Sequence, residues 1–250
     1  MLWGNFFETQ CYTDVSVYVL QRFGFRFSLP QSTSLLAGHS LSAPPSEESV
    51  EPSGPYPELV GCLMYPMTCT RPDLAYPLSI LARYVAPGRH RPEHWEAAKR
   101  VLRYLCSTSG MRLVLGGRGP VVLTGHADAS WVDDLATPRS SQGYTFSLGF
   151  SSVSWRSTRS SLVLSYSCEA EIYAGAMAAQ ELHWLTYLLT YLGERPRSPP
   201  VLYQCGQLRL AYVATRANTA DIFTKALQSA CFSFLDWSCD PFFSPTLPMG

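Results

Sequence analysis

The hydrophobic period of the chain switches twice, and that switch constrains the fold more than any other feature. From about residue 57 to Cys106 apolar residues recur every three to four positions. From Gly110 they fall into short runs rich in β-branched and aromatic residues, and from about Cys168 to Leu192 the helical spacing returns. Helices need a stripe to bury and strands need a face, so this order predicts an α+β (mixed α/β) protein. A sheet folds from Gly110 onward, with helices before and after it. At 250 residues the chain is long enough to bury a sizeable core.

Local signals refine the pattern. The stretch 40–57, SLSAPPSEESVEPSGPYP, reads as a linker. After the short apolar segment Glu58–Met67, the run TRPDLAYPLSILARYVA predicts a helix entered through Pro72, with Leu74, Leu78, Leu81 and Val85 on one face. Pro77 falls inside it, where a proline kinks a helix or costs about 3 kcal/mol. A second helix is predicted from Glu93 to about Cys106. It carries Trp95, Ala98, Leu102 and Leu105 on one side and Lys99, Arg100 and Arg103 on the other. Those cations read either as a phosphate-facing stripe or as a solvated face paired with Glu96, and base rates favour the second. Strands are expected at 113–115, 121–128, 143–150, 152–157, 162–167, 201–203 and 208–213. A final helix is expected from Ala220 to Leu227, capped by Asn218 or Thr219.

Composition narrows the function classes. Nineteen Lys and Arg balance nineteen Asp and Glu, which argues against strong non-specific nucleic-acid binding without excluding a local basic patch. The eight cysteines include no CxxC pair, so a structural zinc site is not expected, and reduced thiols in an intracellular setting are. No signal-peptide pattern and no run of 18 apolar residues is present, so neither secretion nor a membrane partner is expected. Composition gives no oligomeric state.

Three acids sit where a sheet and its helices would meet. Asp128 ends the first long strand, Glu169 opens the long helix and Asp221 opens the last. Carboxylates that converge on one end of a sheet make a hard-oxygen site for Mg²⁺, and two such ions can hydrolyse a phosphodiester. The same acids also serve as ordinary partners of helix dipoles, so spacing alone leaves both readings open. His126 reads more readily as a packed strand residue than as a base. His90 and His94, four apart, lack a third ligand.

The order of motifs is more specific. LVGCLMYPMTCTRPDLAYPLSILARYVAPGRHRPEHWEAAKRVLRYLCST resembles the segment that joins reverse transcriptase to RNase H in Ty1/copia-type retrotransposon Pol polyproteins. GHADASWVDD, SQGYTFSLGFSSVSWRS, SCEAEIYAGAMAAQELHWLTYLL and VATRANTADIFTKAL resemble, in order, the strand end, hairpin, helix and finish of that family's RNase H domain. VYVLQRFGF at 17–25 resembles its thumb-region helix. The resemblance implies four parts. Residues 1–56 are a thumb remnant and linker, 57–109 a helical connection, 110–227 an RNase H-like domain and 228–250 an unrelated tail. It also implies an RNase H-like mixed sheet with flanking helices, Mg²⁺ held by Asp128, Glu169 and Asp221, and an RNA–DNA hybrid as partner.

The chain departs from the family pattern in three places. Ser130 stands where the family's DAD motif has its second acid. Asp133 and Asp134 read as turn acids, and Glu171, about 200° from Glu169 on a helix, as solvated. The family's YVDN strand and HxKHI motif are absent, and so is the polymerase YxDD. By the family's pattern the strands VLY and LRLAYV are parallel. Only Gln204 to Gln207 join them here, whereas a parallel pair needs a crossover of about a dozen residues. The domain is therefore expected to be incomplete. Three readings follow: an impaired nuclease, a non-catalytic binding remnant using cations such as Arg156 and Arg159, or a reading frame that yields no stable protein. On the last, the tail CFSFLDWSCDPFF would be an aggregation hazard.

Overall fold

The structure is a computed structural model, and it describes residues 13–36, 41, 54–113, 115, 122–134, 137–149, 151–194, 200–203, 220, 223–224 and 243–245. Most of the expected linker, the expected strand at 208–213, Asp221 and most of the expected final helix lie outside these residues.

The N-terminal part is helical: α1 (Thr13–Arg22), α2 (Tyr56–Cys69), α3 (Ala75–Leu81) and α4 (Pro92–Ser107). Their apolar stripes meet in one core built on Val19, Leu20, Leu59, Leu63, Leu78, Leu81, Leu102 and Leu105. The helix expected to run on from Pro72 is divided. Pro72–Leu74 form a 3₁₀ turn and α3 begins at Ala75. Pro77 thus lies in the first turn of α3, where a backbone N–H has no helical partner in any case, so it makes no kink. The division is fixed by a buried ion pair. Arg71 donates from Nε and Nη2 to the two oxygens of Asp73, at 3.0 and 2.6 Å. It also reaches the hydroxyl and carbonyl of Thr108 beyond α4, while the Tyr104 hydroxyl donates to Asp73.

The sheet follows. Strands β1 (Met111–Leu113), β2 (Leu123–Asp134), β3 (Arg139–Leu148) and β4 (Ser151–Arg159) precede the long helix α5 (Ser167–Tyr191) in the chain, and β5 (Val201–Tyr203) and β6 (Phe243–Pro245) follow it. The main sheet has the order β4-β3-β2-β5. The first three strands form an antiparallel meander, and β5 returns parallel to β2, pairing His126 with Tyr203. Helix α5 is the crossover that this parallel return requires. A mixed sheet with flanking helices is therefore what the chain builds. Two sequence expectations fail. LVLSYS at 162–167 is not a strand: β4 ends at Arg159, Leu162 and Val163 are exposed, and Ser165 and Tyr166 lead into α5. The first long strand also fails to stop at Asp128 and runs on to Asp134, and residues 243–245 of the tail form β6, antiparallel to β1.

Residues alternate across β2, and this divides the sheet's two faces. Leu123 and Ala127, with Phe146 and Leu202, pack against Ala178, Leu182 and Leu185 of α5. The other face receives α3 and Phe223. There Trp155 donates to the Met67 carbonyl at 2.9 Å and the Ser157 hydroxyl lies 3.2 Å from that of Ser79. Helices and sheet so form one body. Among the described residues no helix is long and apolar enough to cross a membrane, and Cys62, Cys69, Cys106 and Cys168 are free thiols.

His126 supplies a pH prediction. Its ring stacks on Tyr203, centroids 4.7 Å apart, and burial pushes its pKa down to about 4. The unfolded residue titrates near 6.5, so the fold favours the neutral ring. Above that value neither state is protonated and nothing is lost. As the pH falls towards 4 the unfolded chain binds the proton first and stability drops. After allowance for partial exposure, the drop is expected to be about 2 kcal/mol. Urea midpoints at neutral and acid pH, for the native chain and His126→Asn, check it. Equal acid sensitivity in the two would refute the assignment.

Candidate functional site

Asp128 does not end its strand as the sequence suggested but lies midway along β2, paired with Gly143 of β3 and 6 % exposed. A carboxylate this buried must be hydrogen-bonded, and the Thr224 hydroxyl donates to its Oδ2 at 2.5 Å. Thr224 is three residues beyond Asp221, so the acid of β2 is tied to the segment in which sequence placed the last acid. Phe223 presses on the same spot. A Cβ on Gly143 would sit 2.4 Å from the Cβ of Phe223. Only glycine allows this approach.

Two residues beyond Asp128 the ladder breaks. The β2–β3 register shifts between Ser130 and Asp134, and Val132 adopts φ +50°, an unusual conformation for a β-branched residue. The Val132 N–H turns to the Ser140 hydroxyl and the Trp131 indole donates to the Leu164 carbonyl, linking β2 to the entry of α5. Bulges of this kind cluster beside functional sites, and sequence gave no sign of this one beyond the turn-like acids.

Glu169 is exposed. Its Oε2 accepts from the N–H groups of Ser165 (2.8 Å) and Tyr166 (3.4 Å), so its carboxylate caps α5. Glu171 was expected to be solvated and is instead half-buried, with Oε2 enclosed. The reason is helical phase: Glu171 shares the stripe of Ala174, Gly175, Ala178 and Leu182 that faces the sheet, and Glu169 lies opposite. Among the described residues no three His, Cys, Asp or Glu side chains gather as a metal would require. Asp221 lies outside those residues, so the structure describes the expected trio only through Asp128 and Glu169.

The remaining candidates are absorbed by the fold. His94 accepts the Arg91 N–H on Nδ1 and donates from Nε2 to the Leu41 carbonyl, and burial lowers its pKa. His90 stacks on Tyr56 at 4.9 Å. Lys99 pairs with Glu96 as expected, but neither Lys99 nor Arg100 is fully solvated, and Arg100 donates to Thr33 rather than to Glu96. Arg156 is exposed and Arg159 donates to Thr137.

Comparison with known proteins adds the lineage. The chain is 40 % identical over 182 residues to the retrovirus-related Pol polyprotein from transposon TNT 1-94 of Nicotiana tabacum, covering 70 % of this chain and 13 % of that protein. It is 30 % identical over 249 residues to the Pol polyprotein from transposon RE2 of Arabidopsis thaliana, covering 86 % of this chain and 17 % of the relative. The chain belongs to the Ty1/copia-type retrotransposon Pol polyprotein family. It spans less than a fifth of either polyprotein. A shorter relative, the secreted RxLR effector protein 161 of Plasmopara viticola, is 43 % identical over 132 residues and matched over 92 % of its length. No family model and no solved structure matches.

Proposed function

We propose that this member of the Pol family is an RNase H-like remnant, descended from a Mg²⁺-dependent hydrolase of RNA in RNA–DNA hybrids, whose own hydrolysis is lost or strongly impaired. The observation that carries the ancestry is Asp128: a carboxylate buried midway along the inner strand β2 and held by Thr224 from the segment of Asp221. The antiparallel meander followed by a parallel return through α5 supports the same reading. Any Mg²⁺ would be held by Asp128 with Asp221 and a carboxylate of α5. Of the two glutamates, Glu171 is the one that α5 turns towards the sheet, whereas Glu169 is exposed and caps its own helix.

Impairment rests on fixing the ligands. Two-metal hydrolysis needs carboxylates held within about 0.5 Å of the productive geometry, which depends on rigid support behind each one. Here Ser130 and the absent YVDN strand remove acids that the family pattern carries, and four residues replace the expected crossover before Asp221. The test is a labelled RNA–DNA hybrid incubated with the purified chain in Mg²⁺ or Mn²⁺. We expect no cleavage above the rate without protein. Cleavage abolished by Asp128→Asn would refute the impairment, and cleavage that survives this change would refute the role of Asp128. A non-catalytic module that retains the hybrid in a salt-sensitive manner is the second reading, favoured by the capping role of Glu169.

A further inference from the structure

Apolar residues are spread round helix α5 rather than confined to the face that meets the sheet, the pattern of a helix with more than one face to bury. Yet its outer face is open. Ile172, Trp184, Tyr187 and Tyr191 are 55, 54, 70 and 81 % exposed, and Ala176 and Gln180 lie exposed between them. At about 150–250 Å² per aromatic side chain, this stripe presents on the order of 500 Å² of largely apolar surface. That is the upper range for a patch on a monomer and most of the roughly 800 Å² that each partner contributes to a stable interface.

We infer that the outer face of α5 is a homodimer interface, in which two copies pack α5 against α5 antiparallel about a two-fold axis through Gln180. The sequence of the stripe fits itself in that arrangement. Residues equally distant from Gln180 oppose each other, so Ala176, four before, meets Trp184, four after, and Tyr173 meets Tyr187. A missing side chain at Ala176 leaves the hole into which an indole can insert, as in knobs-into-holes packing. Gln180 faces its own copy, where two amides can each donate and accept. Of the three acids on α5 only Glu169 lies on this stripe, and the pairing sets it opposite Tyr191, whose hydroxyl is a donor. Glu171 and Glu181 point elsewhere, the latter accepting from Ser154. No like charges therefore meet along the contact, and an isologous pair closes without exposing a second apolar face.

Light scattering coupled to size exclusion on the full chain tests this, together with sedimentation across the micromolar range. A particle of twice 27.8 kDa is expected for the native chain. Trp184→Glu and Ala176→Arg, both at exposed positions, should each return it to one copy with the circular dichroism unchanged. The two variants act by different means, a buried charge and a filled hole, so failure of one to fold leaves the other decisive. A native chain that is monomeric throughout the range overturns the inference, whether α5 stays bare or is covered by the chain's own residues. A dimer that both folded variants leave intact overturns it as well.

Discussion

Replacing Arg71 by Ala is expected to destabilise the protein by about 3–5 kcal/mol, the usual cost of leaving one partner of a buried ion pair uncompensated. Arg71 and Asp73 are 2 % and 1 % exposed, and Asp73 would be left buried with only the Tyr104 hydroxyl among the donors that bind it here. The loss extends beyond one contact. Arg71 joins the end of α2 to Asp73 in the 3₁₀ turn and to Thr108 past the end of α4, so its removal frees three chain segments together. A domain of this size has about 5–15 kcal/mol in total, so the urea midpoint should fall by a large fraction. The double change Arg71→Met with Asp73→Leu should restore much of it, since paired apolar groups of similar volume need no compensation. An Arg71→Ala chain within 1 kcal/mol of the native one would show that water reaches this pair.

Sequence was most informative where polar and apolar residues alternate cleanly. Helix α4 emerged within a residue of its ends because Ala98, Leu102 and Leu105 contrast with Lys99 and Arg103. Strand β5 emerged at its observed bounds, VLY, between turn signals. Where a segment is apolar throughout, period carries no phase. Glu58–Met67 read only as a short apolar run, and it is the middle of α2, with Pro66 inside the helix. Along α5, Ile172 and Ala176 fitted a helical pattern as well as Leu182 and Leu185 did, yet the first two face outward and the last two face the sheet. The same blindness separated Glu169 from Glu171. A 200° offset says that the two diverge, but only the position of the sheet says which turns inward. The divided helix after Pro72 was hidden for another reason. It depends on Arg71 finding Asp73 and Thr108, a contact that spans 37 residues of chain.

Changing Gly143 to Ala is expected to act on the site from the far side of the ladder, at a cost of about 1–3 kcal/mol for overpacking a closed contact. The new methyl would stand 2.4 Å from the Cβ of Phe223 and 3.1 Å from its carbonyl oxygen. These atoms are close to the backbone, so no rotamer change relieves them and the segment itself must move. That segment is held by the bond from Ser157 to the Phe223 carbonyl and by the bond from Thr224 to Asp128. Thr224→Val removes the second bond directly, and a hydrogen bond to a charged group contributes about 1.5–3 kcal/mol. If the methyl displaces the segment, Gly143→Ala has already broken that bond, and Thr224→Val has little left to remove. The double variant should then cost less than the sum of the singles by roughly 1 kcal/mol or more, an interaction well outside the scatter for independent sites. Denaturation of the four proteins measures it. Additive losses would mean that β3 gives way instead, leaving Thr224 on Asp128, and the close approach at Gly143 would then have no bearing on how the carboxylate is held.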